Sequence, residues 1–167
     1  MPGRTIGKAM QLGYPGSDSR SSDSVKVNRI SAGDIPFGAA VALNPDNSVI
    51  AFGDGHTDVN FLGIAVRTVK QQTDVFEPAG GYKNGDPTDV MVRGSVIVAF
   101  KGKGTPTAGG SVYIRVTADP LLPIAAIGDI EAEADGTNTV QLENLRFTTG
   151  RTDASGTVEV SVLSRRI

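Results

Sequence analysis

The residues of this chain that could carry out chemistry centre on its single histidine, His56. In the sequence Gly-Asp-Gly-His-Thr-Asp, the side chains of Asp54, His56 and Asp58 alternate. On a strand they would share one face, where nitrogen and oxygen ligands could hold a metal ion. A Gly-Asp-Gly sequence is also typical of an exposed β-turn. We favour the turn and assign no metal site, with a metal site or catalysis by His56 as alternatives.

Other catalytic patterns are absent or incomplete. The chain has no Gly-x-Ser-x-Gly elbow, and any triad would depend on the one histidine. Carboxylate pairs such as Asp86 and Asp89 occur in nearly any chain with 18 acidic residues. The sequence Gly-Lys-Gly-Thr at 102–105 lacks the spacing of a phosphate-binding loop and is interpreted as a hairpin loop. The sequence therefore predicts a protein without enzymatic activity and without a cofactor.

Composition restricts the possible partners. The 167 residues include 21 glycines and 9 prolines but no cysteine and no tryptophan, and the net charge is −2. This charge does not favour nucleic-acid binding, and no apolar run is long enough to cross a membrane. Six acidic residues and no basic residue lie between Thr117 and Leu145, whereas both ends of the chain are basic. Such patches could be complementary between copies of an oligomer, or they could be ordinary surface charge.

Short β-branched, apolar runs separated by turn signals indicate an all-β protein. We expect a compact β-barrel or β-sandwich, and only residues 124–134 could form a short helix, against which Gly128 argues. A valine-rich edge strand such as 157–163 would need a partner to cover it. The predicted strands span residues 25–30, 38–43, 48–52, 61–69, 89–92, 95–100, 111–117, 137–147 and 157–163.

Glycines are expected to set the turns and bends of this fold. The Asn84-Gly85 dipeptide accepts positive φ at two successive positions and therefore predicts a tight turn. Gly94 interrupts the apolar run from Asp89 to Phe100, where a strand would bulge or bend. The glycines assigned to such positions are Gly38, Gly63, Gly85, Gly94 and Gly110.

Residues 1–24 differ from the rest of the chain. They lack apolar periodicity and contain the turn sequence Gly-Tyr-Pro-Gly at 13–16, followed by a polar, serine-rich stretch. We predict an extended arm that becomes ordered on a partner and adds little to stability, followed by a single β domain over residues 25–167. The arm residues expected to contact the partner are Arg4, Lys8, Met10, Leu12, Tyr14 and Arg20.

Four sequence features together resemble the structural cement, or head decoration, proteins of tailed bacteriophages. They are the Gly-Tyr-Pro-Gly motif at 13–16, the Ile-Pro-Phe-Gly-Ala-Ala-Val phrase at 35–41, the Phe-Leu-Gly-Ile-Ala phrase at 61–65, and the glycine and valine pattern from Tyr82 to Tyr113. The resemblance implies a β-barrel-like (β-tulip-like) domain with an arm. The serine-rich stretch and the acidic segment have no counterpart in this resemblance.

The resemblance also implies a function. We expect a non-enzymatic virion protein, made in the host cytoplasm, on the outer capsid surface, where it bridges neighbouring major capsid subunits and stabilises the head against internal DNA pressure. Its partners would be the phage major capsid protein and itself, as a homotrimer in preference to a homodimer. An all-β carbohydrate- or receptor-binding module of a phage particle is the alternative, although three tyrosines and no tryptophan offer few aromatic platforms.

Overall fold

The computed structural model describes residues 12–67, 80–119 and 126–164, and within these ranges the protein is all-β. Eleven strands and one short 3-10 turn, Asp58–Asn60, are found there, which confirms the predicted fold class. No helix in the described ranges is long and apolar enough to cross a membrane. The strands are β1 Asp18–Ile30, β2 Ile35–Pro36, β3 Ala40–Leu43, β4 Val49–Ala51, β5 Phe61–Ala65, β6 Gly81–Tyr82, β7 Pro87–Ala99, β8 Ser111–Arg115, β9 Ile130–Glu131, β10 Thr139–Phe147 and β11 Thr157–Val162.

Nine of these strands form one large antiparallel sheet that is strongly curled into a half-barrel. Its order is β4-β3-β5-β7-β11-β10-β8-β9, and β1 joins it by pairing with β7. Strands β2 and β6 form a separate two-stranded sheet. The sheet ends, β4 and β9, are only three and two residues long, which leaves little free edge at either end of this order.

The strands differ from the prediction most clearly in β1 and β7, and the structure also decides the stretch that was considered for a short helix. Strand β1 starts at Asp18 rather than Val25, and β7 is continuous from Pro87 to Ala99 rather than two strands. The stretch considered for a short helix contains β9 in its described part. In each case backbone pairing with a distant strand decided the outcome, which local side-chain patterns do not reveal.

Strand β7 connects the two hydrophobic clusters of the domain. Val90 and Val92 pack in one cluster, whereas Val96 and Val98 pack in the other. Strict alternation would place all four side chains on one face of the sheet. The alternation of side chains between the two faces is therefore interrupted between Val92 and Val96. Gly94 lies at this point with a φ of 123°, a backbone conformation that other residues rarely adopt. The expectation that the strand bulges or bends here agrees with this geometry.

The larger cluster lines the inside of the curled sheet. It includes side chains from β3, β5, β7, β8, β10 and β11, and it is built chiefly from valine, isoleucine and leucine. The smaller cluster packs β2 and β6 against β3, β4, β5 and β7 and contains Phe37 and Tyr82. Each fully buried aliphatic side chain contributes roughly 1.5–3 kcal/mol to folding. The few aromatic residues are therefore not needed to fill most of the core.

A buried ion-pair cluster lies between β8 and β9. Arg115 is fully buried, and its Nε donates to Oε1 of Glu131 over 2.5 Å while its Nη2 donates to Oδ2 of Asp135 over 2.9 Å. The hydrogen bond from Arg115 is the main reason that the pKa of Asp135 lies below its usual value. Buried charges persist only when they are paired in this way. Part of the acidic segment therefore serves the interior of the domain.

Candidate interaction surface at the N-terminal segment

The N-terminal segment, residues 12–20, is attached to the domain rather than separate from it. The Gly16 N–H donates to the Ile97 carbonyl over 2.8 Å, and the Ile97 N–H donates to the Ser17 carbonyl over 2.9 Å. Gly16 also accepts a 2.8 Å hydrogen bond from the Arg67 N–H. The segment thus joins β7 to the end of β5, inside the stretch that the sequence assigned to the arm.

Strand β1 continues this attachment along β7. Its pairing is regular from Lys26 to Ile30, and the register shifts between Val25 and Lys26. Arg20 and Val25 are matched to Ser95 and Arg93, so the residues between them bulge. The bulge lies against Gly94, because a Cβ atom built there would be only 2.9 Å from the Cα of Ser24. The serine-rich stretch, which carries no apolar signal, is therefore part of the sheet.

A Pro-Gly turn begins the segment. The Ser17 N–H donates to the Tyr14 carbonyl over 3.0 Å and closes the N-terminal turn, residues 14–17. Gly16 and Gly38 both have positive φ, 82° and 78°, and their backbones are in direct contact. A Cβ atom on Gly38 would be 2.9 Å from the Gly16 nitrogen and from Cβ of Pro15. Glycine is therefore required at Gly38 for both its conformation and this close approach.

Two carboxylates hold the segment in place. Asp153 Oδ2 accepts a 3.0 Å hydrogen bond from the Leu12 N–H. Glu159 Oε1 accepts hydrogen bonds from the Ser19 hydroxyl over 2.7 Å and from Arg20 Nε over 2.9 Å. Glu159 is only 4% exposed, although it occupies an outward position in the alternating strand β11. The N-terminal segment covers it.

These contacts change the acidity of both carboxyl groups. Burial of Glu159 is the largest single influence and opposes ionisation, but the hydrogen bonds from Arg20 and Ser19 and the Arg20 charge together outweigh it. The pKa of Glu159 is therefore lowered. The pKa of Asp153 is also lowered, first by the N–H of Thr157 and then by that of Leu12. The ionised carboxylates of Asp153 and Glu159 therefore stabilise the attachment of the N-terminal segment to the domain.

The Tyr14 side chain faces solvent above this anchored backbone and is 70% exposed. The guanidinium carbon of Arg67 lies 5.7 Å from the Tyr14 ring centroid and 4.7 Å from that of Phe37. Phe37 in turn meets Tyr82 edge-on, with ring centroids 5.2 Å apart. The cationic side chain thus connects the exposed ring to the smaller hydrophobic cluster.

The residues expected to contact a partner fall into three groups. Arg4, Lys8 and Met10 lie outside the described residues. Leu12 is half-buried and Tyr14 is exposed. Arg20 has an exposed side chain, but its charge is paired with Glu159 of the same chain. Sequence reasoning missed Asp153, Glu159 and Arg67 as neighbours of the segment, and no local signal indicated them.

The predicted turn glycines serve different purposes. Gly85, with a φ of 84°, lies in a turn closed by the Asp86 N–H and the Lys83 carbonyl. Asn84 does not share its positive φ, because Asn47 is the only described residue other than glycine with that conformation. The turn at Asn84-Gly85 therefore has a positive φ at Gly85 alone.

Two further glycines, Gly63 and Gly110, were expected at turns or bends, and only Gly110 lies at a turn. Gly63 lies within β5, directly against the Met91 carbonyl, where a side chain would not fit. Gly110 ends a turn whose positive φ belongs to Gly109, and its N–H donates to the Thr107 carbonyl.

The histidine loop forms an anchored turn. The His56 N–H donates to the Gly53 carbonyl over 3.1 Å, and Nδ1 of His56 accepts from the Gly53 N–H over 2.9 Å. Oδ1 of Asp58 accepts from the Glu143 N–H, while Asp54 is exposed. Within the described ranges, no group of three or more potential ligands is arranged to hold a metal ion.

The fold and this surface define a class of protein: a curled antiparallel β domain with an N-terminal segment that presents an exposed aromatic ring. The structural cement protein model (E217 gp24/Pam3 gp6) matches residues 2–163. The chain therefore belongs to the structural cement protein family. No curated protein matches the sequence.

The fold is also similar to a chain in a solved structure titled "The capsid of Myoviridae Phage XM1". The TM-score is 0.73 at 15% identity, and the match covers 99% of this chain and 100% of that chain. At this identity the likeness concerns the fold. Family membership defines a structural role in the virion, at the capsid of a bacteriophage, and implies that this role is not enzymatic.

Proposed function

We propose that this protein binds the outer surface of a phage capsid lattice and bridges neighbouring major capsid subunits. In this position it stabilises the head against internal DNA pressure. The observation that carries the proposal is the family match over residues 2–163, which includes the N-terminal residues as well as the β domain. A bridging protein needs a rigid body and a contact element beside it, and we assign these roles to the β domain and to the N-terminal residues.

The geometry of the N-terminal segment supports this assignment. Residues 12–20 are fixed to β7 and β11 by main-chain hydrogen bonds and by two carboxylates. Leu12, which follows the part of the sequence that carries Arg4 and Lys8, is therefore held at a defined point of the domain. A force applied at Leu12 would be transmitted through the segment into strand β7. We propose that the residues before Leu12 contact a capsid subunit next to the one beneath the domain.

The proposed assembly is a homotrimer at local three-fold axes, with a dimer at two-fold axes as the alternative. A cement protein at a symmetry axis must match the symmetry of that axis. Many copies around one shell also act together, since each bound contact raises the effective concentration of the others. Contacts that are individually weak can therefore stabilise the whole head.

The test uses undecorated phage heads. The purified protein is mixed with heads and sedimented, and the bound copies per head are counted as its concentration is raised. We expect saturation at a fixed ratio, together with retention of DNA at a higher temperature in decorated heads than in bare ones. Absence of co-sedimentation would reject capsid binding, and saturation without any gain in DNA retention would reject the stabilising role.

A further inference from the structure

The surface feature that the fold does not explain is the exposure of Tyr14. Five large hydrophobic side chains of the described residues are exposed, and Tyr14 is the only aromatic one among them. At 70% exposure its ring adds little to the core. Large aromatic side chains are commonly buried in proteins, and exposed ones that are rigidly held are typical of binding anchors.

The backbone beneath Tyr14 is fixed before any partner arrives. The ring of Pro15 restricts its own φ angle, and Gly16 is bonded to both Ile97 and Arg67. The N–H of Ser17 holds the Tyr14 carbonyl. Because the turn is already ordered, binding through Tyr14 would lose little conformational entropy.

The Arg67 side chain contacts one face of the Tyr14 ring and orients it. The Arg67 guanidinium lies between the Tyr14 and Phe37 rings, at 5.7 Å and 4.7 Å from their centroids. One side of the Tyr14 ring thus faces its own chain, while the rest of the side chain remains in solvent. This arrangement presents a single aromatic knob with a hydroxyl group at its tip.

The sequence before Tyr14 sets an upper limit on how far a shared contact could extend. Thirteen residues precede Tyr14, including Arg4 and Lys8. Fully extended, a chain of this length spans at most about 43–47 Å. A capsid lattice offers a continuous protein surface of at least that extent.

Building on the capsid-binding function above, we propose that Tyr14 is the anchor residue of the N-terminal contact with the major capsid protein. Its ring enters an apolar depression on a capsid subunit, and its hydroxyl donates to a carbonyl or carboxylate oxygen there. The N-terminal turn, residues 14–17, is thus a fixed docking element.

The first test measures capsid binding by Tyr14→Ala and Tyr14→Phe. We expect Tyr14→Ala to raise the dissociation constant for undecorated heads at least about tenfold, as truncation of an aromatic anchor does, while Tyr14→Phe raises it no more than about threefold. The melting temperature of both variants should stay within about 2 °C of the parent. Val59→Ala is the matched control, because Val59 is 86% exposed at a different loop, and its binding should be unchanged.

The outcomes separate the anchor from the wider function. Failure of the parent protein to bind heads would reject the capsid-binding function itself. Parent binding with equally tight binding by Tyr14→Ala would reject the anchor alone. A lower molecular mass of free Tyr14→Ala in light scattering would instead assign the ring to contact between copies, and this too would overturn the proposal.

A second measurement does not depend on stability. The chain has no cysteine, so Tyr14→Cys can be labelled at one position with an environment-sensitive fluorophore. We expect a blue shift of its emission on addition of heads and none for the equivalent Val59→Cys label. An unchanged spectrum at Tyr14→Cys, when sedimentation shows that the labelled protein is bound, would contradict the proposal.

Discussion

Individual charged residues of this protein are buried where the strand pattern would place them in solvent. Glu159 alternates with Val158 and Val160 in β11, and Arg115 alternates with Ile114 in β8. Each should face outward, yet neither is more than 4% exposed. Glu159 is covered by the N-terminal segment and Arg115 by its acidic partners. Glu159 thus helps to hold the N-terminal segment, whereas Arg115 holds Glu131 and Asp135 of the acidic stretch.

The residue-scale prediction concerns Glu159. Replacement Glu159→Gln removes the charge that pairs with Arg20, and we expect a loss of about 1–2 kcal/mol in the free energy of unfolding at pH 7. The measurement is urea denaturation followed by circular dichroism. Exposed Glu133 provides the control, since Glu133→Gln should change this free energy by no more than about 0.5 kcal/mol.

The effect of Glu159 should depend on pH. Because its pKa is lower in the folded state than in the unfolded state, its stabilisation is present above the unfolded value of about 4.3. It is lost as the pH falls through the lower folded value, where the protein carries a neutral carboxyl group resembling glutamine. The difference between the parent and Glu159→Gln should therefore shrink below about pH 4. A difference that persisted unchanged at pH 2 would show that charge is not the cause.

At the scale of elements, the long strand β7 organises the domain. It pairs with β1, β5 and β11 and contributes to both hydrophobic clusters. Gly94 allows β7 to contribute to both clusters, because the alternation of its side chains is interrupted at this residue. Strand β1 also approaches β7 closely at Gly94. Strand β7 therefore functions as one bent element, although its glycine suggested two strands.

Replacement of Gly94 by alanine should be severely destabilising. The new Cβ would be 2.9 Å from the Ser24 Cα, and φ is 123°. We expect a loss of roughly 2–4 kcal/mol in chemical denaturation. In the control Gly33→Ala, the new Cβ meets nothing closer than 3.7 Å, and stability should change by less than about 1 kcal/mol. Equal stability of the two variants would refute the role assigned to Gly94.

Truncation should separate the N-terminal segment from the residues before it. Removal of residues 1–11 should leave the melting temperature within about 2 °C of the parent while weakening binding to heads. Removal of residues 1–20 also takes away the bonds to Ile97, Asp153 and Glu159 and should lower the melting temperature by about 5–10 °C. Differential scanning fluorimetry provides the comparison. An unchanged melting temperature for the longer truncation would support the prediction of an arm that extends through residue 24.

At the scale of the whole molecule, the expected self-association cannot be explained by an exposed edge strand. The valine-rich strand Thr157–Val162 was expected at an exposed edge, where it would require a partner chain. The expectation of an edge is wrong, since this strand pairs with both β7 and β10. The proposed trimer therefore rests on the requirement that a cement protein at a symmetry axis match the symmetry of that axis.

The assembly prediction can be checked directly. Light scattering of the free protein should give about three times the 17.3 kDa chain mass, and density on decorated heads should show three copies around local three-fold axes. Two copies at two-fold axes would favour the dimer. A monomer in solution combined with isolated single copies on the capsid would contradict self-association altogether.

The sequence by itself determined the fold class and most of the strands of this protein. Alternating valines such as Val158, Val160 and Val162 face the core because strand geometry allows only two faces and water favours one of them. The four motifs at 13–16, 35–41, 61–65 and 82–113 together indicated the family. The Asn84-Gly85 dipeptide indicated a turn as well, although the backbone conformation of Asn84 depended on the type of turn that its surroundings favour.

Only the tertiary structure decided which polar residues belong to the interior. Residues 18–24 carry no apolar signal, and their pairing with β7 depends on backbone groups that every residue possesses. The partners of Glu159 and Arg115 are separated from them by 139 and 16 positions respectively, so no local pattern could connect them. Backbone pairing and distant charge contacts arise only when the chain has folded, and they are what attach the N-terminal segment to the domain.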